Sequence, residues 1–575
     1  MTVSIPLSSA GYPYYRRPSE AGPTPPSNFQ DSGYICWSLK LSPLPERAKW
    51  LRETWESCSS GDEEPYYKQI ADALDRRGLA WSLLSVGQFR LPPWKNSRWP
   101  ARSPKLEPKD PGHPSVVVGV ADDSSETHVA EVASEVELVL QRHSIVSTVG
   151  VAAMHCNPRP CLFHGSPEGL AREIPCEVVY SDHLDLGRHC GLSVACAGST
   201  IVGTTGPLLR VTLPDGAAHF ALLTSHHVVS GSREAIHANP GAHDVGRPVV
   251  SPSDPDHGKL VSYLKSRVDE NKNDRMALIF QGMIDAGETI SSFGRETLDK
   301  NQQDIKDLEA ALAKAETFER HLGHILCSSG LRAAQHVDGH SYAQDWALVI
   351  IDPKRISDEE EMDNECGVTL GWLWYDKSNE NPHWKVGRST GLTIAGSCGT
   401  VVQTMEYDCD EGKVRMRGAA RMVVSPVTAD QFSAPWYDSG DSGAPVFGPR
   451  NPGRGGRDIL GVVSGGDFGP EIVQWGLCDD TERLQHVVRS DNPSFFTPIE
   501  AIVAHVQERL EEDLGGKVTV ELYEHLFAKW NREGKSPEEK FQLWKQRQQE
   551  LGKMPGTTGT TGTTDGENGD DGQRL

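Results

Sequence analysis

The chain has 575 residues, 37% of them hydrophobic, which is enough for two or three domains with at least one sizeable core. It carries 57 basic against 80 acidic side chains, and this net charge of −23 argues against a nucleic-acid or anionic-membrane partner. Its 12 cysteines are too few for a disulfide-dense protein, and neither a secretory leader nor a membrane-spanning run is visible. These features predict an intracellular protein, cytoplasmic or nuclear.

The N-terminal third of the sequence is expected to form two regions. Residues 1–110 combine helical patterns with stretches rich in Pro, Ser and Gly, and predict a helical and disordered region that ends in a proline-rich linker. Residues 111–184 predict a small α/β region. Its evidence is an amphipathic helix at 127–143 between short apolar strands at 115–121 and 144–154.

The pattern changes at about residue 185. Up to residue 510, short apolar runs separated by Gly, Pro and Asp predict an all-β barrel or sandwich. Residues 296–322 interrupt this pattern with an apolar stripe at helical spacing, so a helical insertion is expected at about 290–323. Residues 511–575 predict a charged helical extension with a low-complexity, disordered tail.

The polar stretch "PWYDSGDSGAPVFG" at 435–448 raises the question of whether Ser442 is reactive. A serine hydroxyl is a poor nucleophile at neutral pH, and it needs a histidine base, an acid that orients the histidine, and N–H donors for the oxyanion. Taken alone, the stretch fits a polar turn between strands equally well. The rest of the sequence must therefore supply a histidine and an acid in suitable contexts.

The sequence offers both partners. His227 follows an apolar run in "LLTSHHVV", and Asp345 stands directly before a buried strand in "DWALVII", where an unpaired carboxylate would be costly. The chain order is His, Asp, Ser, which is the order found in double-β-barrel serine proteases. The alternatives are a core histidine for His227 and a turn-capping acid for Asp345, while His226 is interpreted as a structural neighbour.

Five short motifs in this order resemble the chymotrypsin-like (trypsin-like) serine protease family, and are nearest to its α-lytic and streptogrisin branch. The five motifs are "TSHHVV" (224–229), "DWALV" (345–349), "KVGRSTGLTIAGSCGTVVQ" (385–403), "GDSGAP" (440–445) and "LGVVSGG" (460–466). The resemblance covers roughly 185–510. It implies a mainly β fold with a double β-barrel protease domain, here with the helical insertion, the small N-terminal α/β region and the helical C-terminal extension.

The resemblance also implies roles for individual residues. His227, Asp345 and Ser442 would form the catalytic triad, and the N–H groups of Gly440 and Ser442 would form the oxyanion hole. The substrate-binding residues would be Trp436, Ser464, Gly465 and Gly466. Ser464 would lie beside the Asp–His pair, and the two glycines would pair with an extended substrate backbone.

Two departures from the family pattern refine these expectations. Trp436 stands where proteases that cut after Lys or Arg have an acid, so trypsin-type specificity is not expected and the pocket can be filled or remodelled. In family members activated by cleavage, a new N-terminus pairs with the acid before the serine. Lys385 or Arg388 could instead pair with that acid, Asp441, and keep the site formed without processing.

The sequence thus predicts a serine endopeptidase that needs no cofactor or metal and acts on polypeptides, with protein partners possible through its terminal extensions. One alternative is a protease-fold binding or scaffold protein with little turnover. The other is a zinc-binding regulatory protein that uses the Cys and His residues between 155 and 196, although their spacing is not a standard finger. Around Ser442 the sequence lacks the G-x-S-x-G pattern of the α/β-hydrolases, because Ala444 stands where its last glycine would be.

Overall fold

The computed structural model describes the greater part of the chain. The described residues are 14–16, 40–42, 48–56, 64–90, 114–121, 124–143, 149–156, 158–160, 163–164, 190–230, 237–239, 244–355, 382–410, 412–424, 436–448, 459–466, 494–523, 535–536, 539 and 542–543. Within this part, none of the helices combines the length and apolar character that crossing a bilayer requires.

The described residues are mainly β. The strands are β1 Tyr14–Arg16, β2 Lys40–Ser42, β3 Leu83–Arg90, β4 Pro114–Val120, β5 Gly150–His155, β6 Arg159–Pro160, β7 Phe163–His164, β8 Ser193–Cys196, β9 Ile201–Thr204, β10 Leu208–Thr212, β11 Ala218–Thr224, β12 Pro248–Val250, β13 His321–Ser328, β14 Arg332–Gln335, β15 Ser341–Gln344, β16 Ala347–Ile351, β17 Pro382–Gly387, β18 Gly391–Cys409, β19 Gly412–Val424, β20 Pro445–Phe447, β21 Ile459–Gly466, β22 Ser494–Pro498 and β23 Thr519–Leu522.

Eight helices accompany these strands in the described part of the chain. They are α1 Lys49–Glu56, α2 Tyr66–Arg76, α3 Glu126–Arg142, α4 His226–Val229, α5 Asp254–Lys272, α6 Arg275–Asp285, α7 Ser292–Thr317 and α8 Ile499–Leu514.

The strands form two sheets. The first runs in the order β1-β5-β4-β3-β18-β17-β20-β21-β22-β19-β15-β14, with β2 on β3 and β6 on β21 as side pairings. The second runs β23-β10-β11-β16-β13-β12-β8-β9-β7. The candidate residues divide between the two sheets. His227 follows β11 of the second sheet, whereas Asp345 follows β15 and Ser442 precedes β20, both of the first sheet. The three residues can therefore form one site only where the two sheets are in contact.

An α/β unit forms the N-terminal end of the first sheet. Strands β4 and β5 are parallel, and α3 connects them. Helices α1 and α2 share a buried core with these elements, and Trp55 of α1 donates an indole N–H to the carbonyl of Thr400 at 3.0 Å. Strand β3 pairs with β18, with Leu84 opposite Val402. The unit and the β-rich region thus share one continuous sheet.

The helical insertion is larger than the sequence pattern predicts. One helix is expected at 296–322, whereas three helices, α5, α6 and α7, occupy residues 254–317 between β12 and β13. In α5 the buried residues Leu260, Leu264 and Val268 repeat every four positions, which gives it an apolar face toward α7. Helix α7 ends at Thr317 because Phe318 turns to an extended conformation.

Two further local predictions are wrong. Residues 519–522 are expected in a helical extension, but they form β23 on β10, because buried Val518 and Val520 alternate with exposed Thr519 and Glu521. His227 is expected at the end of a strand, but it lies in the single helical turn α4, which follows β11. The predicted tail beyond residue 543 lies outside the described residues.

Candidate active site

His227 and Asp345 form a buried pair. Strand β11 ends at Thr224 and α4 then turns His227 toward the link between β15 and β16, where Asp345 lies. The His227 Nδ1 is 2.5 Å from Asp345 Oδ2, and the His227 backbone N–H donates to Asp345 Oδ1 at 3.1 Å. Both side chains are fully buried. One carboxylate thus fixes both the backbone and the ring of the histidine.

This pairing decides which ring nitrogen of His227 can act as a base. A carboxylate oxygen accepts the Nδ1 proton, so in the neutral ring Nε2 carries the lone pair. The Nε2 atom and the hydroxyl of Ser442 are both buried, and neither has a hydrogen-bond partner within the described residues. The site therefore holds a basic nitrogen and a hydroxyl that are not hydrogen-bonded to each other in this form.

Backbone contacts bring Ser442 and α4 close together. The Thr204 N–H donates to the Ser442 carbonyl at 2.8 Å. A Cβ on Gly203 would lie 2.4 Å from Cγ2 of Val228 and 3.0 Å from the Ser442 carbonyl oxygen. The backbone of Gly203 thus lies between Val228 and Ser442. A side chain at residue 203 would push Val228 and Ser442 apart.

Tyr407 is a partner of Asp345 that the sequence motifs do not predict. Its hydroxyl donates to Asp345 Oδ2 at 3.2 Å, and its ring centroid lies 6.0 Å from that of His227. Burial and the charge of Asp345 raise the pKa of Tyr407 well above its ordinary value, so the phenol stays a neutral donor. A buried tyrosine in a long strand has no sequence signal that distinguishes it from a core residue.

The loop before β20 leaves two backbone donors unused. Within the described residues, neither the N–H of Gly440 nor that of Ser442 donates a hydrogen bond, whereas the N–H groups of Ser439, Asp441 and Gly443 do. Gly440 has a φ of +95°, a conformation that side-chain-bearing residues rarely adopt. Among the N–H groups of residues 439–443, the two without an acceptor are therefore those of Gly440 and Ser442, which the resemblance assigns to an oxyanion hole.

Asp441 is held by a buried cation. Lys385 Nζ lies 2.9 Å from Asp441 Oδ2, and both side chains are fully buried. The same carboxylate accepts from the Thr390 hydroxyl at 2.8 Å and from the backbone N–H of Ser389 at 2.8 Å and of Asp438 at 3.0 Å. Five polar groups, counting the Thr390 N–H at 3.3 Å, therefore compensate this buried charge.

Arg388 pairs elsewhere. Its Nε donates to Asp256 Oδ2 of α5 at 2.6 Å, and its Nη2 donates to Asp256 Oδ1. A Cβ on Gly440 would lie 2.7 Å from Arg388 Nη1, so the guanidinium packs against the loop that contains Gly440 and Ser442. Of the two cations considered for Asp441, Lys385 is the one in contact.

The predicted substrate-binding residues are all buried. Trp436 is 1% exposed, packs in the core beside Val446 and Phe496, and has Lys385 Nζ 5.4 Å from its ring centroid. The hydroxyl of Ser464 donates to the Phe495 carbonyl at 3.3 Å, whereas Tyr407 supplies the hydroxyl that reaches Asp345. Trp436 therefore fills space in the core, as a remodelled pocket requires.

The edge formed by Gly465 and Gly466 is occupied. These glycines are expected to leave backbone groups open for a substrate, but strand β6 pairs with them in antiparallel register. Ser442 and His227 are both 0% exposed. The site is therefore closed in this structure, and an N-terminal segment of the chain lies on the edge predicted for the substrate.

The described residues contain no group of three or more His, Cys, Asp or Glu side chains that could hold a metal ion. Cys156 is buried, and the Cys196 thiol donates to the Val229 carbonyl at 2.9 Å. Burial raises the pKa of Cys196 to about 11. Cys161 and Cys176, which the zinc alternative also invokes, lie outside the described residues.

Comparison with models of known protein families and with curated proteins found no match to this chain. The arguments for function therefore come from the residues and their geometry.

Proposed function

We propose that the chain is a serine endopeptidase that hydrolyses polypeptides through His227, Asp345 and Ser442. The observation that carries the proposal is the orientation of His227. Asp345 holds its Nδ1 at 2.5 Å, and its Nε2 is buried without a hydrogen-bond partner among the described residues. A histidine that merely satisfied the core would use both ring nitrogens, as its neighbour His226 does with Ser328 and the His237 carbonyl.

In this mechanism His227 Nε2 removes the hydroxyl proton of Ser442 as the oxygen attacks the peptide carbonyl. The N–H groups of Gly440 and Ser442 stabilise the oxyanion of the tetrahedral intermediate. The imidazolium then gives its proton to the leaving amine, and Asp345 stabilises the positive ring. Water, deprotonated by the same Nε2, hydrolyses the acyl-enzyme and regenerates Ser442. The hydroxyl of Tyr407 donates to Asp345 and helps to hold its carboxylate in place.

One circuit of strand pairings supports one of the two β-barrels that this function implies. Pairings lead from β18 through β17, β20, β21, β22 and β19, and β19 pairs with β18 again. Six strands paired in such a circuit are what one barrel of the proposed protease domain needs. The second sheet, which carries β11 before His227, would form the other barrel.

A fluorophosphonate probe tests the proposal, because it reacts covalently only with an activated serine. We expect the full-length chain to be labelled at Ser442 and Ser442→Ala to remain unlabelled. The same variant should lower kcat for peptide hydrolysis by about 10⁶-fold. Ser439→Ala is the matched control in the same loop, since only the backbone of Ser439 contacts its neighbours there. Labelling that survives Ser442→Ala, or a chain that never reacts even after β6 has been displaced from Gly465 and Gly466, would contradict the proposal.

A second candidate is a protease-fold binding or scaffold protein. Two observations favour it: Trp436 fills the region expected for the specificity pocket, and Ser442 and His227 are covered. It predicts a folded chain without labelling and without hydrolysis of a diverse peptide library, even after the N-terminal segment has been displaced from Gly465 and Gly466. The enzyme proposal predicts the opposite result.

A further inference from the structure

Strand β6 lies where an extended substrate would bind. Gly466 is paired with Arg159 and Gly465 with Pro160, and the two strands are antiparallel. On the other side, the same glycines pair with β22. Strand addition to a free sheet edge is a common way of binding an extended peptide. Here the added strand comes from the chain itself.

Strand β7 pairs with a strand that contacts the serine. Phe163 pairs with Val202 and His164 with Ile201 of β9. Strand β9 ends at Thr204, whose N–H donates to the Ser442 carbonyl. Only two residues separate β6 from β7 in the sequence, so one short stretch of chain pairs both with Gly465 and Gly466 and with the strand that is hydrogen-bonded to Ser442.

The burial of the site agrees with this arrangement. Ser442 and His227 are 0% exposed, yet their reactive atoms have no hydrogen-bond partner among the described residues. A hydroxyl and an imidazole nitrogen buried without partners are costly for stability alone. Their burial is consistent with a cleft that is preformed but covered.

We propose that β6 and β7 act as a built-in, substrate-like ligand that closes the cleft of Ser442 and must leave before a polypeptide can bind. This inference rests on the proposed protease function. The pairing is short, and Pro160 has no N–H to donate. A two-strand contact of this size is weak enough for a competing polypeptide or a partner of the N-terminal unit to displace it. The chain is therefore an autoinhibited enzyme in the form described.

The test uses the full-length chain and two substitutions that weaken β6 without touching the triad. Arg159→Pro removes the N–H of the residue opposite Gly466, and the double variant Arg159→Gly, Pro160→Gly raises the entropy cost of ordering the strand. Arg16→Pro is the matched control. Arg16 lies in β1, which pairs with β5 of the α/β unit through Arg16 and Val151. Thermal unfolding of each variant checks that it folds.

The readout is the rate of fluorophosphonate labelling at Ser442. We expect Arg159→Pro to raise this rate about three- to tenfold, because a proline should disturb the backbone pairing of this two-residue strand by the equivalent of about one hydrogen bond, and the glycine variant to raise it as well. Arg16→Pro should leave it unchanged. A synthetic peptide of residues 155–164 should slow labelling of Arg159→Pro, and a scrambled peptide should not.

The two proposals fail in different ways. If the wild type and both β6 variants are labelled equally fast, autoinhibition is wrong and the protease function stands. If no variant is labelled, although the glycine variant is folded and binds the peptide of residues 155–164, the protease function is wrong. If Arg159→Pro does not fold, the glycine variant decides by the same criteria.

Discussion

The Lys385–Asp441 pair is the residue-scale feature on which the shape of the serine loop depends. Asp441 directly precedes Ser442, and its fully buried carboxylate receives five polar contacts, of which the Lys385 ammonium alone is charged. A buried carboxylate that loses its cation is strongly destabilised, whereas a surface pair contributes little. The loop is therefore held by the ammonium of Lys385, which takes the place that the amino group of a cleaved N-terminus would have.

We expect Lys385→Met to destabilise the fold by about 3–5 kcal/mol, because it leaves Asp441 charged and buried. It should also reduce fluorophosphonate labelling, because the amides of Gly440 and Ser442 move with Asp441. The control Lys265→Met breaks an exposed pair with Glu316 and should cost less than about 1 kcal/mol. Urea unfolding measures the first effect and labelling the second. Unchanged stability and labelling in Lys385→Met would show that the pair does not hold the loop.

At this scale the sequence predicts some contacts of the candidate site and misses others. His227, Asp345 and Ser442 lie in motifs whose residue types have a catalytic reason, and the His227–Asp345 pair is present. Tyr407 could not be predicted, because its contact with Asp345 is made across 62 residues of chain by a side chain typical of any core. The partner of Asp441 was predicted only as one of two cations, since sequence alone does not say which of Lys385 and Arg388 points inward.

At the scale of elements, helix α5 connects the insertion to the serine loop. Asp256 near its N-terminus binds Arg388 through two hydrogen bonds, and Arg388 packs against Gly440. Side-chain exposure is 9% for Arg388 and 3% for Asp256, so this pair is shielded from solvent. The insertion is thus anchored to the loop that carries the proposed oxyanion hole.

We expect Asp256→Asn to lower kcat for peptide hydrolysis more than it changes KM, because it releases Arg388 from the Gly440 loop and so affects transition-state stabilisation. Asp254→Asn is the matched control. Asp254 also lies at the start of α5, but it pairs with Arg320 and not with Arg388. Steady-state kinetics of both variants in the β6-weakened background gives the comparison. Equal losses of kcat in the two variants would point to a general effect on α5 instead.

The elements themselves were predictable where their periodicity is local. An apolar run predicts a strand at 115–121 and the structure has Pro114–Val120, and the helix expected at 127–143 is Glu126–Arg142. Helix α5 was missed because charged residues separate its apolar positions, which contact α7 only after folding. Helix α6 was missed although most of its residues are apolar. Strand β6 was also missed, since a two-residue strand has no periodicity and its partner lies about 300 residues away.

At the scale of the whole molecule, the N-terminal unit and the β-rich region share a sheet. Leu84 and Leu83 of β3 pair with β18, and β18 also pairs with β17, which supplies Lys385. Strand β6 and the Trp55–Thr400 hydrogen bond add contacts between the same two parts. Strand β3 links the two parts and lies inside the first sheet, between β4 and β18. The N-terminal unit and the β-rich region should therefore unfold together.

We therefore expect Leu84→Ala to lower the temperature of a single unfolding transition and not to split it into two. Leu84 is fully buried, so the truncation should cost about 2–5 kcal/mol. Val337→Ala, at a residue that is 95% exposed, is the control and should leave the transition unchanged. Calorimetry detects the transitions, and fluorophosphonate labelling during heating reports on the serine loop. Two separate transitions, with Ser442 still reactive after the first, would mean that the β-rich region folds independently of the N-terminal unit.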